Sequence, residues 1–159
     1  MTNPIRPTDD EARKLAQTLL SQSRFCAIAT LDEHQAPQLA RIAFGQDPTG
    51  APISLISQLS QHTKALTRDP RCSLLVGEPG SKGEPLTHPR LTLQAKARMI
   101  PRDHPDFDQL QTRWLNTHPK SKLYIGFADF LFARFEVEQA FLNGGFGKAF
   151  NLTQNDLAL

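Results

Sequence analysis

The 159-residue chain is poor in cysteine, with only Cys26 and Cys72, each inside its own apolar run. No Cys-x-x-Cys pair exists, which excludes a cysteine-built zinc site. The two thiols read as reduced, buried, small hydrophobes of a cytoplasmic protein. Charge of one sign is also missing: 18 Lys and Arg stand against 16 Asp and Glu, a formal net charge of +2. A dedicated nucleic-acid binder shows its basic face in that total, and no strand here interleaves basic residues with base-stacking aromatics. No apolar run approaches the roughly 18 residues that cross a membrane, and Met1–Arg6 lacks the apolar segment of a secretion signal. The histidines, at 34, 62, 88, 104 and 118, form neither a His-x-x-x-His nor a His-Glu-x-x-His pair, and no serine lies in Gly-x-Ser-x-Gly. A protein metal site and a hydrolase triad therefore have no anchor.

What is present is ordinary globular composition, 39% hydrophobic and 21% charged. At this length one domain with a substantial core is expected. Residues 1–159 read as that domain, structured from about 8 to 150, with a flexible arm at 1–7 and a flexible tail at 151–159.

Hydrophobic spacing orders the elements. Ala12, Leu15, Ala16, Leu19 and Leu20 recur at helical intervals behind Thr8 as N-cap, with Glu11 placed to close a capping box. Short apolar runs at 25–31 and 37–44, separated by Asp32-Glu33-His34-Gln35, form a hairpin. A loop at 45–52 leads to a third strand at 53–57. A helix over 61–68 starts at Ser60 and stops at Asp69-Pro70, and a strand at 72–76 follows. Residues 78–89, with Pro79, Gly80, Gly83 and Pro85, form a long loop. Leu91, Leu93, Ala95, Ala97 and Met99 alternate with a largely polar set, the mark of a strand with one buried face. A helix over 103–118 and a strand over 130–141 complete the order. Many short strands with few helices point to an antiparallel barrel of six or seven strands flanked by helices.

Four clusters can carry chemistry. Arg41 interrupts an apolar strand, so it lies either at an outer rim or against an anionic ligand. Ser57-Gln58-Leu59-Ser60-Gln61-His62-Thr63-Lys64 runs from a strand end into a helix start, where hydroxyls, free N–H groups, an imidazole and an ammonium converge. That composition suits an anion, and equally an ordinary capped helix. Gln94 and Lys96 share the polar face of the alternating strand, facing either a ligand or solvent. Gly144-Gly145-Phe146-Gly147 follows the last strand, either as a flexible turn or as backbone able to approach a flat ligand.

In this order the clusters resemble the FMN-binding split-barrel proteins related to pyridoxamine 5′-phosphate oxidase, and within them the haem-utilisation (HugZ-type) proteins. The resemblance rests on Pro37–Phe44, Leu55–Lys64, Arg90–Ala95 and Gly145–Ala149, and covers about residues 8 to 150. It implies a homodimer with FMN in the interface and a flavin-dependent oxidoreductase acting on a small molecule, with no nucleic-acid or membrane partner. Arg41, Ser57, His62, Thr63 and Lys64 would hold the phosphate and ribityl chain. Gln94 would approach the flavin from the second subunit, and Phe146 and Gly147 would lie beside flavin or haem. Two alternatives on the same barrel are a haem-binding, haem-utilisation protein and a non-enzymatic flavin carrier. No residue stands out as a catalytic acid or base, and the 151–159 tail lacks the Trp- and Arg-bearing closing segment of the pyridoxamine phosphate oxidases.

Overall fold

The computed structural model describes residues 3–159. Met1 and Thr2, the start of the expected arm, lie outside the described residues. Nine strands join one mixed sheet: β1 (Ile5–Arg6), β2 (Phe25–Leu31), β3 (Pro37–Ala43), β4 (Gly45–Gln46), β5 (Pro52–Ser57), β6 (Arg71–Val76), β7 (Arg90–Ile100), β8 (Phe130–Asn143) and β9 (Ala149–Leu152). Three helices flank it: α1 (Asp10–Gln22), α2 (Gln61–Arg68) and α3 (Phe107–Thr117).

The sheet runs β1-β9-β8-β7-β6-β2-β3, with β5 paired to the first part of β8 (Phe130–Arg134) and β4 to β5. Its neighbours are antiparallel except β1 and β9, which pair in parallel. The expected six- to seven-stranded antiparallel barrel is corrected in two respects. The extra strands are short pieces with no alternation of their own, β1 and β4 having two residues each. The sheet is also open, because β3 and β5 form no ladder; they meet through the Ser54 hydroxyl, which donates to the Ala43 carbonyl at 2.5 Å.

Alternation dictates the inner layer. Ile28, Leu74, Leu93, Ala140 and Leu152 face inward in one cross-strand row, all at most 5% exposed. They pack with Ala12, Ala16 and Leu20, the inner stripe of α1. A second core gathers Ile53, Leu55, Ile100 and Phe132 beneath Phe107, Leu110 and Trp114 of α3. Both cysteines are free and buried, and burial pushes each thiol up to about 12, which leaves them chemically quiet.

Three local expectations change. The cap of α1 is Asp9, whose carboxylate accepts the Ala12 N–H at 2.8 Å, while the Thr8 hydroxyl turns away to donate to the Asn151 carbonyl. The third helix begins at Phe107 because 101–106 is taken up by turns ahead of the apolar stripe. The tail is docked rather than frayed: β9 extends to Leu152, Leu157 is buried, and Asp156 accepts from Arg13 of α1 at 2.7 Å. The same strand holds part of the arm, since Ile5 and Arg6 pair with Ala149 and Phe150.

Candidate functional site

Five of the anticipated residues lie at the junction of β3, β5 and α2, and three of them line one groove. Arg41, Ser57 and His62 line a shallow groove of about 240 Å³ together with Ser60, Tyr124 and Phe130. Thr63 and Lys64 follow on the first turn of α2. The alternation of β3 puts Arg41 on the outer face of the sheet, opposite Ala27 and 5.5 Å from the Phe25 ring centroid. His62 is half-buried, and burial lowers its pKa, so the imidazole is neutral at neutral pH with a lone pair free. Lys64 is exposed. Thr63 is buried and its hydroxyl lacks a partner.

The anticipated cap geometry at α2 is different in detail. Ser60 occupies the N-cap position without a side-chain capping bond, and the first backbone bond of the helix joins Lys64 N–H to the Ser60 carbonyl. The first-turn N–H groups of Gln61, His62 and Thr63 thus have no intrahelical acceptor. Ser57 is committed elsewhere: its hydroxyl donates to Asp129 Oδ2 at 2.5 Å and accepts the Leu59 N–H at 3.1 Å. Asp129 also accepts the Gln58 N–H through its backbone carbonyl at 2.7 Å. Asp129 and Tyr124 escaped sequence reasoning because they lie some 60 residues or more along the chain from the segment they touch, with no spacing to mark them.

Gln94 and Phe146-Gly147 do not join this groove. Arg41 and Gln94 share the outer face, but the strand order β3-β2-β6-β7 puts three inter-strand steps between them, about 14 Å at the usual strand spacing. Gln94 accepts a hydrogen bond from Gln139 and stands between two depressions of about 480 and 630 Å³. Phe146 is 80% exposed in the β8–β9 turn, where Gly145 (φ 119°) and Gly147 (φ 68°) adopt backbone that favours glycine.

Between Arg41 and Gln94 the outer face carries an apolar patch on β3, β2 and β6 that ends at Ser73 and Thr92. Cross-strand register sets Leu39 beside Ala29, and Ala27 beside Leu75. Leu39 is 80% and Leu75 45% exposed. Leu59, Leu123 and Phe127, on the segments that carry the groove's lining, are exposed as well.

With this geometry in view, residues 7–157 match the family described as CREG, beta-barrel. The chain belongs to the CREG β-barrel family. The chain is 32% identical over 153 residues to the chloroplastic heme oxygenase HOZ of Arabidopsis thaliana, covering 92% of this chain and 46% of that protein. It is 28% identical over 157 residues to the heme oxygenase HutZ of Vibrio cholerae, covering 96% and 84%. This CREG β-barrel chain therefore spans about half the length of the plant relative. A solved heme binding protein from Mycobacterium smegmatis superposes with a TM-score of 0.83 at 26% identity, over 97% of this chain and 61% of that one. A Clostridium acetobutylicum protein of the pyridoxinephosphate oxidase family superposes with a TM-score of 0.71 at 12% identity, over 94% and 99%, which places the fold among the split barrels.

Proposed function

We propose that this protein binds haem and serves in its use, with haem as cargo or as the substrate of oxidative ring opening. The observation that carries the reading is the groove itself. It combines one neutral, half-buried imidazole with a cation on an apolar rim, in a chain whose relatives are named for haem. Haem needs apolar cover for its two faces, cations for its propionates and a donor atom for its iron. Leu39, Leu59, Leu123 and Phe127 offer the first, Arg41 and Lys64 the second, and His62 the third. The chain's task is to bind, orient and shield: the apolar rim excludes water, and the exposed cations hold the carboxylates at the edge.

One copy supplies half of such a site. About 240 Å³ lies below the roughly 300–1,000 Å³ of closed ligand pockets. A homodimer joined through the outer face would provide the second wall and bring Gln94 of the other copy towards Arg41. The apolar patch formed by the two neighbouring pairs Leu39–Ala29 and Ala27–Leu75 supports this arrangement.

A flavin reading has one specific support, the open first turn of α2 beside Arg41 and Lys64, which suits the phosphate of FMN. Against it, the Ser57 proton is already directed at a carboxylate. Separate titrations of the purified chain with haemin and FMN decide between the two. A Soret band that saturates at one haem per chain is expected, at concentrations well below those at which flavin fluorescence is quenched. Saturable FMN binding without a Soret band would overturn the haem reading. With reductant and air added, decay of the band would mark turnover, and a stable band would mark carriage alone.

A further inference from the structure

We propose that Asp129 is a specificity-determining residue of the groove. Its carboxylate, held against Ser57 at the end of β5, closes the α2 terminus to a phosphomonoester such as that of FMN. Ligands whose anionic groups are carboxylates on flexible arms are left free to use the outer cations. The inference rests on the groove being the ligand site proposed above.

The α2 terminus has most of what a phosphate requires: first-turn N–H groups without intrahelical partners, the uncommitted Ser60 hydroxyl, and the Arg41 and Lys64 cations nearby. Asp129 changes its character. The 2.5 Å Ser57–Asp129 contact has the length of a charge-assisted O–H···O⁻ bond. Ser57 has a single proton, and that proton points at Asp129. Leu59 N–H and Gln58 N–H are taken by Ser57 Oγ and the Asp129 carbonyl. The turn leading into α2 therefore already holds an anion of its own. A phosphate dianion seated there would strip the Ser57 proton from the carboxylate and place like charges within a few ångströms. In a partly exposed setting that repulsion weakens binding by about tenfold or more. The carboxylates of a propionate-bearing macrocycle escape it, because Arg41 and Lys64 are exposed and reachable from outside the turn.

A purely structural tie between β5 and β8 predicts nothing about flavin preference, which makes the two roles separable. The full chain is titrated with FMN and with riboflavin, which lacks the phosphate, as wild type and as Asp129→Asn. Asparagine keeps an oxygen for the Ser57 hydroxyl and removes the charge. In the wild type, FMN should gain no more than about twofold over riboflavin. In Asp129→Asn, FMN affinity should rise about tenfold while riboflavin stays unchanged. Equal FMN affinity in the two proteins, or an equal gain for both flavins, overturns the proposal. So does wild-type binding in which FMN is already about tenfold tighter than riboflavin, a comparison that stands even if the variant fails to fold. A haemin titration in parallel keeps the two readings apart. A missing Soret band sinks the haem assignment, while the FMN-to-riboflavin ratio still decides the role of Asp129.

Discussion

The imidazole of His118 lies flat on the indole of Trp114, with ring centroids 3.8 Å apart and planes 6° from parallel. Both rings close over Gly45, where an added Cβ would stand 2.9 Å from the indole. His118 Nε2 is 3.1 Å from the Arg24 carbonyl, so that nitrogen carries the proton, and Nδ1 is left facing the Thr117 hydroxyl at 2.8 Å. The stack thus joins the end of α3 to the start of β2 through a neutral histidine.

Burial lowers the pKa of His118, and of His62, below the ordinary histidine value. The neutral form is favoured in the folded state, so the unfolded chain takes up protons first as pH falls. Stability is fully present above about 6.5 and declines below it, towards the depressed folded value. Urea midpoints at pH 7.5 and 5.5 should differ in that direction. In His118→Phe, which keeps the stack but cannot protonate, stability at pH 7.5 should drop by about 1 kcal/mol for the lost hydrogen bond. The difference between the two pH values should narrow, and an unchanged difference would remove His118 as a cause.

Arg41 and His62 meet in the groove, and among the described residues no carboxylate is paired to either. Replacing both with alanine should weaken haemin binding by about 100-fold, each contributing about 1.4 kcal/mol. The melting temperature should move less than for a core truncation, since Arg41 is exposed and His62 only half-buried. Haemin affinity equal to wild type in the double variant would remove the groove as the binding site.

Leu75 sits 45% exposed in the apolar patch of the outer face, opposite Ala27. Leu75→Glu should leave the fold intact and convert a dimer to a monomer in sedimentation velocity, with haemin affinity falling alongside. A wild type that sediments as a monomer at micromolar concentration would refute the proposed interface.

Leu157 is 2% exposed at the far end of the tail. Leu157→Ala should destabilise the protein by about 2–5 kcal/mol in urea unfolding, the range of buried leucine truncations. A loss below about 0.5 kcal/mol would mean that the tail's packing contributes nothing to stability.

The long elements were legible because their signal is local. The period-2 pattern of Leu91 to Met99 determined which face of β7 is buried, and the stripe Ala12 to Leu20 determined how α1 docks. The strand-to-helix passage Ser57–Lys64 announced its groups by composition alone, and α2 spans Gln61–Arg68 as the spacing predicts. The two-residue strands β1 and β4 were beyond reach, since pairing that short is decided by the partner strand, not by its own residues. The tail was misjudged for a related reason. Polar neighbours around Leu152 and Leu157 conceal two side chains that are buried only because α1 and β8 are already in place.

The site divides along the same line. Sequence by itself determined that two serines, a histidine, a threonine and a lysine would gather near one strand end, because they are neighbours along the chain. Arg41 was joined to them only by the family resemblance. Tertiary structure alone decided what they face. It brought Asp129 against Ser57 across 72 positions and set Tyr124 into the groove. It also placed Arg41 and Gln94 on one face of the sheet, three strands apart. Such relations depend on strand order and register, which arise from the packing of the whole sheet and leave no trace in the spacing of residues along the chain.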